Sequence, residues 1–177
     1  MKKKFQGSFT QQESLPEEAI EAAVKVMRHG RLHRYNVAEN ETSEVALFEQ
    51  DFANKFDARF CLACASGGYA MTTALRAMGV EYGDKILTNG FTLAPVPGAI
   101  AAAGGEVVFV EVNNDLLIDF NDLEQKIISS NSKVLLLSHM RGHICNMDLL
   151  MSLCGKYGVK VVEDCAHTMG AKWNHEW

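Results

Sequence analysis

Asp164 lies within the run "VKVVEDCAHTMGA" (Val159 to Ala171), in which four residues built for a buried strand meet two acids. A carboxylate is costly to bury unless something pairs with it. Alternation along the run puts Glu163 on one side and Asp164 on the other. At the tip of an inner strand, Asp164 can cap the next segment or pair with a basic side chain. It can also hold a cationic nitrogen of a cofactor, which would answer its desolvation cost. His167, three residues on, can hydrogen-bond the same ligand or sit satisfied in the core. Upstream, "ASGGYA" contains Ser66-Gly67-Gly68 between a strand-like and a helix-like stretch. Such a turn lets backbone approach an anion at a helix N-terminus, but it also serves as a plain connection. It has neither the Gly-Lys-Ser/Thr ending of a P-loop nor the GxGxxG pattern. Phe91 follows Gly90 and reads either as a core aromatic or as a ring that stacks on a flat ligand.

Metal chemistry has less support. Cys61-x-x-Cys64 has zinc-like spacing, and His139, His143 and Cys145 are close in sequence. The two cysteines fall in a strand-like run that would point them to opposite faces, and no second CxxC exists. No metal is expected.

These residues need a scaffold, and the chain's periodicity supplies one. Ser14 and Glu17 have capping-box spacing ahead of Ile20, Ala23, Val24 and Met27, and Gly30 can stop that helix. A second helix follows, with Val45, Phe48, Phe52 and Phe56 as its core face. From residue 58 onward, strands alternate with helices: "RFCLACA", "KILTN", "EVVFVEV", "KVLLLSH" and "VKVVED". The intervening helices show Met71, Ala74, Leu75 and Met78 on one face, then "LAPVPGAIAAAGG", a helix opening at Asn121, and "MDLLMSLCGKYG". Nearly uniform apolar strands point to a three-layer α/β fold, a largely parallel sheet with helices on both faces. In such sheets ligands gather at the carboxyl ends of the strands, here Ala65-Ser66-Gly67-Gly68, Asn89-Gly90-Phe91, Ser138-His139 and Glu163-Asp164.

The 177 residues carry a net charge of −5 and no basic stripe, which excludes a nucleic-acid footprint. No apolar stretch approaches a membrane span. Five cysteines without framework spacing suit a reducing cytoplasm.

Taken together, "ASGGYAMTTALRAMGVEYGDKILTNGFTLAPVPGAIAAAGGEVVFVEV" and "LLLSHMRGHICNMDLLMSLCGKYGVKVVEDCAHTMGA" resemble the DegT/DnrJ-type aminotransferases, over about Val45 to Ala171. These are fold-type I enzymes that use pyridoxal phosphate (PLP), mostly on nucleotide-linked keto-sugars. The resemblance implies a short N-terminal helical segment (1–57) and a partial cofactor-binding domain (58–177), without the small C-terminal domain. It matches Ser66, Gly67 and Gly68 to the phosphate turn, Phe91 to the ring-stacking aromatic, Asp164 to the partner of the pyridine nitrogen, and His167 to a position beside the ring oxygen. Gly68 stands where the family usually has threonine, so a hydroxyl contact to phosphate is lost.

The family's Schiff-base lysine is not among these residues. Lys172 is the only lysine after Asp164 and falls in the wrong motif. The ending "AKWNHEW" also departs from the family pattern. The chain alone is therefore expected to be inactive, as part of a longer enzyme, half of a split one, or a degenerate remnant. The resemblance implies an amino-acid donor, a keto-sugar acceptor, and a homodimer or a complementing C-terminal chain. Alternatives are a sugar dehydratase of the same family and a non-catalytic module that binds a phosphate ligand.

Overall fold

The computed structural model describes Gly7 and residues 12–174. The chain forms two compact units, Met1–Cys61 and Leu62–Trp177.

The first unit carries α1 (Glu17–His29) and α2 (Glu44–Lys55). Gly30 ends α1 in a left-handed conformation, as its position suggested. The expected cap does not form. Pro16 occupies the N-cap position, and no side chain caps the helix. Proline disfavours helical backbone in the residue before it, which leaves Ser14 too far out to cap. Neither helix contains a fully buried residue. The expected core face of α2 instead packs along its own length: Phe48 and Phe52 lie 5.8 Å apart by ring centroids, and Phe52 and Phe56 4.5 Å.

The second unit is a four-stranded, wholly parallel sheet in the order β2-β1-β3-β4. The strands are β1 (Lys85–Asn89), β2 (Glu106–Val110), β3 (Val134–Ser138) and β4 (Lys160–Asp164). Between them run α3 (Gly67–Ala77), α4 (Pro95–Ala103), α5 (Phe120–Ser130) and α6 (Met147–Tyr157). Strand alternation divides the core into two layers. Ile86, Val134, Leu136 and Val162 pack with Leu75 and Met71 of α3 and with Val96 and Ile100 of α4. Leu87, Leu135, Leu137 and Val161 pack with Leu123 and Ile127 of α5 and Leu150 and Cys154 of α6. Helices thus cover both faces, and β3 is buried along its whole length.

Two expectations change here. "RFCLACA" forms no strand among the described residues. A strand is assigned only where a ladder of backbone hydrogen bonds forms, and 59–65 carries no such assignment. Phe60 and Leu62 stand 79% and 56% exposed. The helix expected to open at Asn121 begins at Phe120, capped by Asp119, whose carboxylate accepts from the N–H groups of Asn121 and Asp122 at 2.8 and 3.0 Å. Asp119 sits directly before the first turn, where its oxygen reaches the free donors.

Candidate functional site

Strand order fixes where a ligand can enter. The chain leaves β1 for β2 on one side and then returns to place β3 on the other. The crevice beyond the carboxyl ends of β1 and β3 is therefore the switch point of the sheet. Asn89 spans it. Its amide donates to the Ser138 carbonyl at 3.1 Å and accepts from the Ser138 N–H at 2.9 Å, continuing the pairing past the last backbone register. The same amide group donates to the Phe91 carbonyl at 2.9 Å, fixing the start of the loop that carries Phe91.

Asp164 ends β4 opposite Ser138 in register. The Ser138 hydroxyl donates to one carboxylate oxygen at 3.2 Å, and the Ala166 N–H to the other at 3.2 Å. Asp164 shares the parity of Val162, so it lies on the face covered by α3 and α4. The N-terminus of α3 approaches the same edge, because α3 ends eight residues before β1 begins and must run antiparallel to it. Ser66 caps α3, its hydroxyl accepting from the Tyr69 N–H at 3.2 Å. Gly67 and Gly68 occupy the first turn, where helix N–H groups have no partner within the helix. Nothing lies within 4 Å of where a Cβ would stand on either glycine. An uncovered helix N-terminus and a half-buried carboxylate therefore share one face and one edge of the sheet.

Phe91 meets His143 edge-on, with ring centroids 6.3 Å apart and planes at 87°. No ring is stacked parallel on Phe91 among the described residues. His167 is exposed, and its Nδ1 accepts the Arg141 N–H at 3.2 Å. A neutral ring with Nδ1 occupied as acceptor carries its proton on Nε2, so His167 offers a donor to a ligand. Arg141 reaches this position in a left-handed conformation, φ 58°, inside the 3₁₀ turn Met140–Gly142.

Several partners are not evident in the sequence. Glu163, on the other face, meets the His139 imidazole at 2.7 Å. Cys165 lies beside them, its thiol held above the ordinary range by burial and by the negative Glu163 and Asp164, with a nearby Thr168 hydroxyl opposing. His143 and Cys145, close to His139 in sequence, point elsewhere: His143 to Phe91, and Cys145 into the core, where burial pushes its thiol to about 11. Asn89 and Ser138 both end strands, and only the register shows that they bind each other. Tyr35 lies in the first unit, stacked on His33 at 5.3 Å.

The fit to a flat, phosphorylated, cationic ligand is good. Buried hydroxyls of Thr88 and Thr92 lack hydrogen-bond partners, and they flank the Asn89-Gly90-Phe91 corner. Fold and site define a parallel α/β protein with an uncovered helix N-terminus and a half-buried carboxylate at the carboxyl edge of its sheet.

This chain belongs to the DegT/DnrJ/EryC1/StrS aminotransferase family, whose profile matches residues 13–176. It is 36% identical over 132 residues to a dTDP-3-amino-3,6-dideoxy-alpha-D-galactopyranose transaminase of Aneurinibacillus thermoaerophilus, covering 74% of this chain and 36% of that protein. It is 28% identical to a UDP-2-acetamido-2-deoxy-3-oxo-D-glucuronate aminotransferase of Pseudomonas aeruginosa, covering 92% of this chain and 44% of that one. Among solved structures, 3-amino-5-hydroxybenzoic acid synthase superposes with a TM-score of 0.84 at 26% identity, over 96% of this chain and 43% of its own. The chain thus spans less than half the length of these relatives.

Proposed function

We propose that this chain is the cofactor-binding part of a PLP-dependent aminotransferase acting on a nucleotide-linked keto-sugar. The observation that carries this reading is the placement of Asp164 and the α3 N-terminus on one face and one edge of the sheet. Ser66, Gly67 and Gly68 would hold the phosphate, Phe91 the ring face, Asp164 the ring nitrogen, and His167 the oxygen side of the ring. Bound there, the cofactor supplies an electron sink for proton loss next to the substrate nitrogen.

The chain's own residues set the conditions for that chemistry. Asp164 stays oriented because Ser138 and Ala166 occupy one lone pair on each oxygen. A fixed anion beside a pyridine nitrogen favours the protonated form. The helix N-terminus meets the phosphate with partial positive charge, and the two glycines admit it without steric cost. His167 donates from Nε2, which favours a negative oxygen over a neutral one.

The amino group would come from an amino acid, and the acceptor class follows the sugar-nucleotide substrates printed for the two transaminase relatives. The lysine that completes the family reaction would come from outside these 177 residues, from the rest of a longer polypeptide or from a complementing chain. No helix among the described residues is long and apolar enough to cross a membrane. All five cysteines are free, which supports a reducing, cytoplasmic setting.

Titration of the chain with PLP, followed by ring absorbance, tests the reading. Saturable binding is expected, weakened about tenfold or more by Asp164→Ala, the order of a lost charge-assisted contact. Binding that is absent, or indifferent to Asp164, contradicts it.

A further inference from the structure

On the sheet face opposite Asp164, three donor atoms converge: the His139 imidazole, the Glu163 carboxylate and the Cys165 sulfur, all within 4.8 Å of one another. They come from the adjacent carboxyl ends of β3 and β4. The His139 N–H donates to the Asp164 carbonyl at 3.2 Å, which pins the two tips together. His139 is 3% exposed, so its ring is fixed by packing rather than by solvent. The three residues line a cavity of about 230 Å³ together with Thr168, Lys172 and Trp173.

A His139–Glu163 hydrogen bond of 2.7 Å accounts for two of the donors. It does not account for the sulfur beside them, nor for the cavity wall. The buried Trp173 indole N–H has no acceptor, and the Thr168 hydroxyl makes no hydrogen bond of ordinary geometry. Unpaired buried donors are uncommon and ask for a ligand or an ordered water. The cavity is roomy enough for an ion and its bound water.

We propose that His139, Glu163 and Cys165 form a binding site for a divalent transition metal of the zinc class, with a fourth position open to the cavity. A mixed set of imidazole, carboxylate and thiolate is a zinc-type donor set. Zinc holds nitrogen and oxygen at about 2.0 Å and sulfur at about 2.3 Å, so tetrahedral donors stand roughly 3.3–3.6 Å apart. The present separations, from 2.7 Å between His139 and Glu163 up to at most 4.8 Å, bracket that range. Coordination displaces the thiol proton to solvent, and a water on the fourth position accepts from the Trp173 N–H. This site is independent of the cofactor reading, since none of its side chains is assigned to PLP.

The test uses the full chain. Zinc affinity is measured by competition with a chromophoric chelator, and cobalt(II) is substituted to read the thiolate-to-metal charge-transfer band. One equivalent per chain and a clear band are expected. Cys165→Ser should abolish the band, Glu163→Gln should weaken binding about tenfold or more, and Cys64→Ser should change neither. Both test residues lie toward the surface, and circular dichroism verifies their folding; buried His139 is not needed for the decision. No binding above the chelator, a band that survives Cys165→Ser, or an affinity indifferent to Glu163→Gln overturns the site. Any of these leaves His139–Glu163 as a structural hydrogen bond only.

Discussion

At the scale of single residues, the sequence reveals chemistry where a residue type is costly in its setting. Asp164 is such a residue, and its position at the tip of β4 follows from an apolar run ending in a carboxylate. The partners of these residues were not legible. Ser138 and Glu163 are 26 and 24 residues from the side chains they bind, Asp164 and His139, and only the β3–β4 register brings them together. Ser66 was read as a phosphate contact, whereas its first structural role is to cap α3. Ser66→Ala should therefore lower stability by about 1 kcal/mol in urea denaturation. It should also weaken PLP more than pyridoxal, which lacks the phosphate. Equal losses for both ligands would remove Ser66 from the anion cradle.

At the scale of elements, β1, β3, β4 and α6 were legible to within a residue or two, because buried parallel strands and glycine stops leave strong patterns. Failures came where a pattern needed a partner. "RFCLACA" has a strand's composition but is not a strand among the described residues, and the capping-box spacing at Ser14 was overridden by Pro16. The Asn89 bridge is the element-scale device that keeps the switch point open but ordered. Asn89→Ala leaves the buried Ser138 N–H without its acceptor, at a cost of about 1–3 kcal/mol in denaturation midpoint experiments. Leu136, fully buried in the central strand, should cost about 2–5 kcal/mol as Leu136→Ala. Cys145 and Cys154, both raised to about 11 by burial, stay protonated at neutral pH. Mass spectrometry after brief alkylation of the native chain should find both unmodified.

For the whole molecule, the net charge of −5 argued against a nucleic-acid footprint, and strand alternation supplied the fold class that the superpositions support. What composition could not show is how much apolar surface stays uncovered. Phe109 on the edge strand β2 is 50% exposed. Exposed strand edges with apolar side chains template association. The chain should self-associate with rising concentration in sedimentation experiments, and Phe109→Lys should reduce that association. A chain that is monodisperse at every concentration would show that the β2 edge is adequately protected.

The central claim is that Asp164 holds a protonated pyridine nitrogen. Nitrogen-15 NMR of the chain bound to ring-labelled PLP measures that proton directly. The account predicts a protonated-nitrogen shift at mildly alkaline pH, replaced by the unprotonated shift in Asp164→Asn. An unprotonated nitrogen in the unmodified chain, or the same shift in both proteins, would contradict it.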